Sequence, residues 1–228
     1  MDKQQIYIVI PAFNEGKVIK STIQDLQKFG YNNIVIIDDG STDNTRKQAQ
    51  ETGADVLTHI INRGQGASLS TGIEYVKENY NPKVIITFDA DGQHNPAEIE
   101  RLAKPIFNDV ADIVLGSRFL NKKTKLPFTR KIVLKAGILF TNIISSINLT
   151  DTHNGFRALG PRAIEKIKIT HRGMEHASDI INEITKNNLR HQEAPVTILY
   201  TDYSMNKGQS SGNFIKIGIK VILHKILN

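Results

Sequence analysis

The chain has 228 residues, no cysteine and no tryptophan, with a formal net charge of +6 at pH 7. That length can bury the core of one large α/β domain, and the lack of cysteine excludes a disulfide framework or a thiolate metal centre. The basic balance, with a pI near 9.4, suits polyphosphates, nucleic acid or an anionic membrane surface without choosing among them.

The N-terminus runs straight into a strand, which predicts no signal peptide. Ile6 to Ile10 is that strand, and it stops at Pro11-Ala12-Phe13-Asn14-Glu15-Gly16. Lys17 to Phe29 has helical spacing through Val18, Ile19, Ile23 and Leu26. Asn33 to Ile37 is a second strand ending in Asp38-Asp39-Gly40-Ser41-Thr42-Asp43, where Ser41 or Thr42 can cap a helix running to about Thr52. Val56 and Leu57 mark a third strand, and Asn62-Arg63-Gly64-Gln65-Gly66-Ala67 turns into a helix over Ser68 to Tyr80. Val84 to Phe88 is the fourth strand, Pro96 to Phe107 a helix, and Ile113 to Leu115 a fifth strand ending in Gly116-Ser117-Arg118. The β-α-β-α alternation predicts an α/β fold with a mostly parallel sheet and helices on both faces.

The chemistry concentrates where strands end. Ile85-Ile86-Thr87-Phe88 breaks into Asp89-Ala90-Asp91-Gly92-Gln93-His94. Residues i and i+2 of a strand point the same way, so Asp89 and Asp91 can converge on one hard cation, Mg²⁺ or Mn²⁺. The bland alternative is a turn with an Asx cap before the next helix. Asp38, Asp39 and Arg118 also sit at C-terminal strand ends, the edge where open α/β sheets bind ligands. The glycine turn lacks the third glycine of a dinucleotide fingerprint, and no Gly-Lys-Ser/Thr follows as a phosphate loop requires. It reads as a tight turn from which Arg63 can reach a phosphate.

Ile10-Pro11-Ala12-Phe13-Asn14-Glu15, Asp38-Asp39-Gly40-Ser41-Thr42-Asp43, Asn62-Arg63-Gly64 and Asp89-Ala90-Asp91-Gly92-Gln93-His94 resemble, in order and spacing, the family 2 glycosyltransferases with the GT-A fold. Gly116-Ser117-Arg118-Phe119, Asp151-Thr152-His153-Asn154-Gly155-Phe156-Arg157-Ala158 and Glu193-Ala194-Pro195-Val196 resemble the polyprenyl-phosphate branch, similar to dolichyl-phosphate mannose synthase. The resemblance implies a nucleotide-sugar donor, a divalent metal and an inverting transfer. By the same resemblance Pro11, Ala12, Asn14 and Glu15 form the nucleotide loop, and Asp38 and Asp39 meet base and ribose. Asp89, Ala90, Asp91 and Gln93 hold metal and diphosphate, and Arg118 meets phosphate. UDP is expected over GDP. The chain divides into a catalytic domain at 1–212, with a donor half at 1–118 and an acceptor half at 119–212, followed by a terminal helix at 213–228.

The second half carries fewer marks. Lys131 to Ile147 is helical and apolar nearly all round, suiting a core helix or one lying at a membrane surface. Asp151 to Arg157 reads as a polar loop, Pro161 to Ile167 and Ser178 to Asn187 as helices, and Ala194 to Tyr200 as a strand. Thr201 to Gly212 has a loop's composition and suggests a lid over the donor. The family often has Arg and Ser-Lys there, whereas this chain has Lys207 and Ser210-Ser211, so Lys207 is the candidate diphosphate contact. Asn213 to Asn228 sets Lys216, Lys220, His224 and Lys225 against a broad apolar surface. At ~1.5 Å per residue such a helix is about 22 Å long, short of a ~30 Å hydrocarbon core. It suits an interfacial helix, a helix docked on its own domain, or one bound to a small integral-membrane partner. The expected location is the cytoplasmic face of the membrane, as a peripheral protein.

A lipid phosphate is already anionic at neutral pH, so such an acceptor needs cations rather than a general base. Arg130, Lys131 and Arg157, with Arg118, are the candidates. The rival reading makes Asp151, Glu175 or Asp179 a base for a sugar hydroxyl. Aromatic content of 7% without a stacking motif argues against nucleic acid. Pro11-Ala12-Phe13-Asn14-Glu15 is not the glycine-rich triphosphate loop of a nucleotidyltransferase.

Overall fold

The computed structural model describes residues 1–120, 137–138, 142 and 147–199. The expected helices at 131–147 and 213–228, the loop at 201–212, and the candidates Arg130, Lys131 and Lys207 lie outside the described residues, apart from residues 137–138, 142 and 147.

Seven strands form one sheet in the order β3-β2-β1-β4-β6-β5-β7. They are β1 (Ile6–Ala12), β2 (Ile34–Asp38), β3 (Asp55–Thr58), β4 (Val84–Thr87), β5 (Ile113–Ser117), β6 (Arg157–Leu159) and β7 (His191–Pro195). All pairings are parallel except those of β6, which runs antiparallel between β4 and β5. The helices are α1 (Ile19–Lys28), α2 (Thr45–Gln50), α3 (Gln65–Asn79), α4 (Ile99–Phe107), α5 (Pro161–Lys166) and α6 (His176–Lys186).

Strand alternation sorts the core into two layers. Ile6, Ile8 and Ile10 of β1, Ile34 and Ile36 of β2 and Ile86 of β4 pack with α1, α2 and α4. Val9, Val35, Ile37 and Ile85, the residues between them, pack with α3, α5 and α6 on the other face. Successive side chains of a strand point to opposite faces, and with helices covering both faces even these short strands are apolar throughout.

Three sequence expectations are corrected. Residues 151–157 were expected to be loop throughout, yet Arg157 opens β6 and pairs with Thr87 and Leu115. A three-residue strand is too short for its period to be legible. The last strand is His191–Pro195 rather than 194–200. It lies at the sheet edge, where one side faces solvent and polar His191 and Gln192 are tolerated. The more apolar Val196–Leu199 stretch crosses instead to the loop after β4. Leu199 N donates to Gln93 O (2.9 Å) and Thr197 N to Glu98 Oε2 (2.8 Å). Helix α2 begins at Thr45, later than expected; Asp43 Oδ1 accepts its first N–H (2.9 Å), while Ser41 Oγ accepts Asn14 N (2.9 Å).

Helix α3 lies close on the sheet because position 72 is glycine. A Cβ there would fall 2.4 Å from Ile37 Cδ1 and 2.5 Å from Val9 Cγ1. Gly72→Val is expected to cost about 1–3 kcal/mol through overpacking, read as a lower denaturant midpoint at constant m-value. An unchanged midpoint would mean that the helix backs off without loss.

Candidate active site

The strand order places the sheet's reversal between β1 and β4, where crossovers leave a crevice at the C-terminal edge. A cleft of about 470 Å³ opens there, lined among others by Pro11, Ala12, Phe13, Glu15, Asp39 and Asn62. Gly64, Gln65, Ser68, Asp89, Ala90, Asp91, Gly173 and Met174 complete it. Of the candidate residues, Pro11, Ala12, Glu15, Asp39, Asp89, Ala90 and Asp91 thus meet in one cavity. Its size is ordinary for a small-molecule site.

Asn14 and Asp38 brace this cavity rather than line it. Asn14, at φ 53, accepts Thr42 N on its Oδ1 (2.9 Å) and so ties the loop after β1 to the loop after β2. Asp38 Oδ1 accepts Ser41 N (3.1 Å) within its own turn. Glu15 N donates to Thr45 Oγ1 (2.7 Å), which fixes the same two loops from the helix side.

Asp39 organises the third loop. Its Oδ1 accepts Arg63 N (2.9 Å) and its Oδ2 accepts Gly64 N (2.7 Å), while His59 Nδ1 lies 2.7 Å from Oδ1. Burial alone would raise this carboxyl, but the two N–H groups and His59 outweigh it and hold the pKa below the usual range. Arg63 contributes that N–H. Its side chain lines a separate hollow of about 520 Å³ with Leu57, Thr71, Glu74 and Tyr75, away from the cleft.

The glycine turn is a site of close approach as well as a turn. Gly66 N (2.7 Å) and Ala67 N (3.2 Å) both donate to Arg172 O, so the first turn of α3 is capped by the backbone of the second half. A Cβ on Gly66 would stand 2.1 Å from His171 O, and one on Gly64 2.4 Å from Arg172 O. The segment docked there carries Gly173 and Met174 into the cleft. Residues beyond 118 thus form one wall of the cleft.

Asp89 and Asp91 lie in the turn after β4, which ends at Thr87 rather than Phe88, so the turn and not strand alternation brings both to the cleft. Asp91 Oδ1 accepts Gln93 N (3.1 Å) and its Oδ2 accepts Gln93 Nε2 (2.6 Å). The Asx turn is thus real, yet Asp91 still lines the cleft, and the helical turn that follows is capped by Asn95, whose Oδ1 accepts Ala97 N (3.0 Å). Burial, and then repulsion from Asp89, push Asp91 up to about 6. Asp89 is held low despite its burial, chiefly by His94 and then by Arg157 and His176. Among the described residues no three His, Asp or Glu side chains form a ready-made metal cage. Two carboxylates that repel each other, with the Gln93 amide at hand, form a hard oxygen set that fits Mg²⁺ or Mn²⁺ when phosphate and water complete the shell.

A second cluster gathers Arg118, Asp151 and Glu193. Arg118 donates from Nε (2.6 Å) and N (3.1 Å) to Asp151 Oδ2, and Glu193 accepts Thr150 N (2.9 Å) and Asp151 N (3.0 Å). The Gly116-Ser117-Arg118, Asp151–Arg157 and Glu193 motifs are thereby stitched together. Arg157 is 2% exposed; burial lowers its pKa to about 10, opposed by Asp89 and Asp151, so it stays charged at neutral pH. Asp179 accepts Thr170 N (2.7 Å), Thr170 Oγ1 (3.0 Å), His171 N (2.7 Å) and His171 Nδ1 (2.6 Å). Glu175 is buried beside Gly173. Sequence reasoning passed over His59, His94 and the 171–174 wall, whose residue types carry no spacing signal.

The family model described as "Glycosyl transferase family 2" matches residues 7–168. The chain belongs to glycosyl transferase family 2. It is a glycosyltransferase, with relatives among the polyprenyl-phosphate enzymes. It is 39% identical over 230 residues to an uncharacterised protein of Methanocaldococcus jannaschii, covering 99% of this chain and 94% of that one. It is 32% identical to the UDP-N-acetylglucosamine–dolichyl-phosphate N-acetylglucosaminyltransferase of Methanococcus voltae, covering 100% of this chain and 97% of that one. In fold it is similar to glucosyl-3-phosphoglycerate synthase from Mycobacterium tuberculosis, solved with Mn²⁺ and UDP-glucose. That match has a TM-score of 0.71 at 16% identity, covering 95% of this chain and 76% of that one. The family 2 chain thus has the α/β architecture of the GT-A enzymes.

Two predictions follow from this geometry. Gly66→Ala is expected to lift the 171–174 wall and weaken binding of a UDP-sugar at least tenfold, measured by calorimetry; wild-type affinity would show that the wall is not part of the donor site. Asp91 must lose its proton to take a cation. Binding of Mn²⁺ in the presence of a UDP-sugar, whose diphosphate does not titrate in this range, is therefore expected to weaken as pH falls below about 6. A flat profile from pH 5 to 7 would place the cation elsewhere.

Proposed function

We propose that this family 2 enzyme transfers a sugar from a nucleotide-sugar, a UDP-sugar in the first instance, to a polyprenyl phosphate, with inversion at the anomeric carbon. The observation that carries the reading is the division of charge about β4. Asp89 and Asp91 line the cleft, while Arg157 is buried at the start of β6 beside β4 and Arg118 is held by Asp151. Names of relatives support it: the Methanococcus voltae enzyme is named for UDP-N-acetylglucosamine and dolichyl phosphate, and a Micrococcus luteus protein 28% identical over 223 residues is an undecaprenyl-phosphate mannosyltransferase.

Pro11, Ala12, Glu15 and Asp39 would hold the nucleoside, with Asn14 and Asp38 bracing their loops. Asp89, Asp91 and Gln93 would hold Mg²⁺ or Mn²⁺. When bound, that ion offsets the charge of the departing diphosphate. The acceptor's phosphate oxygen forms the new bond to the anomeric carbon as the bond to the nucleoside diphosphate breaks. No proton has to be removed, since a phosphate monoester has a second pKa of about 6. Arg118 and Arg157, with Arg130 and Lys131, would hold the acceptor phosphate, and Lys207 the donor diphosphate.

The rival reading needs a free carboxylate near the acceptor. Asp179 is saturated by four donors and Asp151 is paired with Arg118. Those bonds argue against Asp179 and Asp151 as bases for a sugar hydroxyl and leave Glu175 as the candidate of that reading. Among the described residues no helix is long and apolar enough to cross a membrane. Access to a polyprenyl phosphate would come through peripheral association with the cytoplasmic membrane face, by the basic helix at 213–228, directly or on a small integral-membrane partner.

The test is a transfer assay with UDP-sugars and undecaprenyl phosphate beside free sugar alcohols, reading release of UDP. Turnover on the lipid phosphate is expected, with complete loss in EDTA and at least a hundredfold loss in Arg118→Ala. Turnover on a hydroxyl acceptor, with none on the lipid phosphate, would overturn the assignment.

A further inference from the structure

A buried histidine stands between the cleft and the second hollow. Asp39 lines the cleft and Thr71 lines the hollow, and His59, 8% exposed, joins them. Its Nδ1 lies 2.7 Å from Asp39 Oδ1 and its Nε2 lies 3.0 Å from Thr71 Oγ1. The three groups come from separate elements. Asp39 follows β2, and His59 follows β3 and donates its backbone N–H to Asp38 O (2.9 Å). Thr71 lies in α3, one residue before the glycine that lets that helix press on the sheet.

The partners fix the state of the ring. Against its burial, Asp39 is held low by two backbone N–H groups and His59, and an ionised carboxylate only accepts. Nδ1 therefore carries a proton. In the neutral ring Nε2 is then an acceptor, and the Thr71 hydroxyl donates to it. Both lone pairs of Asp39 Oδ1 are thus taken, by Arg63 N (2.9 Å) and His59 Nδ1, while Oδ2 takes Gly64 N (2.7 Å) and keeps one. Held on both oxygens, the carboxylate cannot turn without breaking these bonds, and its open acceptor position stays at the cleft.

We infer that His59 and Thr71 are positioning residues for the donor's nucleoside: Thr71 sets the imidazole, the imidazole sets Asp39, and the carboxylate keeps one fixed acceptor position for an N–H or O–H of the nucleoside. The inference rests on the nucleotide-sugar reading above and gives a role to two side chains that line no part of the cleft. An acceptor set in advance spares the complex the cost of ordering it.

The test uses the full chain with Mn²⁺ and two ligands, UDP and inorganic pyrophosphate, which shares the diphosphate and lacks the nucleoside. In calorimetry, His59→Phe, which keeps a ring and removes both nitrogens, is expected to bind UDP at least tenfold more weakly and pyrophosphate as the wild type does. His59→Asn, whose amide can donate where Nδ1 does, should recover part of the loss. Thr71 is partly exposed beside the hollow, so Thr71→Val is not crowded. It should weaken UDP binding by about three- to tenfold, the worth of one hydrogen bond, whereas Thr71→Ser should not. In turnover of a UDP-sugar the losses should fall on KM with kcat held. The ring reports directly in nitrogen NMR spectra of histidine-labelled protein. The His59 signals, identified by their absence from a His59 variant, should show a protonated Nδ1 and a bare Nε2, and should move on adding UDP but not pyrophosphate. If His59→Phe does not fold, His59→Asn, the threonine variants and the spectra decide. Wild-type UDP affinity in Thr71→Val, equal weakening of UDP and pyrophosphate, or a bare Nδ1 overturns the inference. A wild type that binds UDP no better than pyrophosphate overturns the nucleotide-sugar reading itself.

Discussion

The rest of this site depends on the Asp89 carboxylate, which is partly buried just past the end of β4. Withdrawing a carboxylate from water costs free energy unless cations and donors answer it. The chain answers it from three directions: His94 from the following loop, Arg157 from β6 and His176 from α6. Each of these elements is held where it is by its own packing. His94 is stacked on Phe156 at 4.6 Å and edge-on to Phe88 at 5.2 Å. The aromatic rings under the metal motif thus fix the orientation of the imidazole beside the carboxylate. Burial of His176 lowers its pKa to about 4, so at neutral pH it is uncharged, whereas Arg157 stays charged beside Asp89. Two carboxylates at one strand end need this shell, because Asp91 adds repulsion that the cations must offset until a divalent ion does so.

The antiparallel β6 explains how the second half of the chain reaches this point. A parallel strand between β4 and β5 would have brought its C-terminal end to the ligand edge. By reversing, β6 puts its first residue, Arg157, opposite Thr87 and Leu115, and puts the preceding Gly155 against Asp89. Thr87 Oγ1 donates to Gly155 O (2.5 Å), which ties the loop to β4 directly. Position 155 is glycine because a Cβ would meet the metal-motif carboxylate. The reversed strand and the glycine before it are therefore one device, bringing a cation to the back of Asp89 without blocking its front.

Most of the fold was legible from the sequence because its signals are local. Strands β1, β2 and β4 are apolar runs ending in polar motifs, and Asp89 and Asp91 do meet in the cleft, though through a turn after β4 rather than by strand alternation. What was not legible depended on contacts distant along the chain. β6 has three residues and starts with a buried arginine, which no hydrophobic period announces. The edge strand β7 is polar, and the neighbouring apolar stretch, which bridges to the metal loop instead, drew the expected strand onto itself. Gly64 and Gly66 were readable as a turn. That the backbone of residues 171–173 lies against them is not, because the contact joins residues over a hundred positions apart and leaves no pattern at either end.

That distant contact also bears on how a donor site is assembled. The amide groups of Gly66 and Ala67 open helix α3 and would attract an anion if left free. Arg172 O takes both, so this helix start does not compete with the carboxylates for the diphosphate. The same carbonyl anchors the wall that carries Gly173 and Met174 into the cleft. Under the proposed function the phosphate-binding burden would thereby move from a helix N-terminus to the strand-end carboxylates, which would meet a diphosphate through a cation.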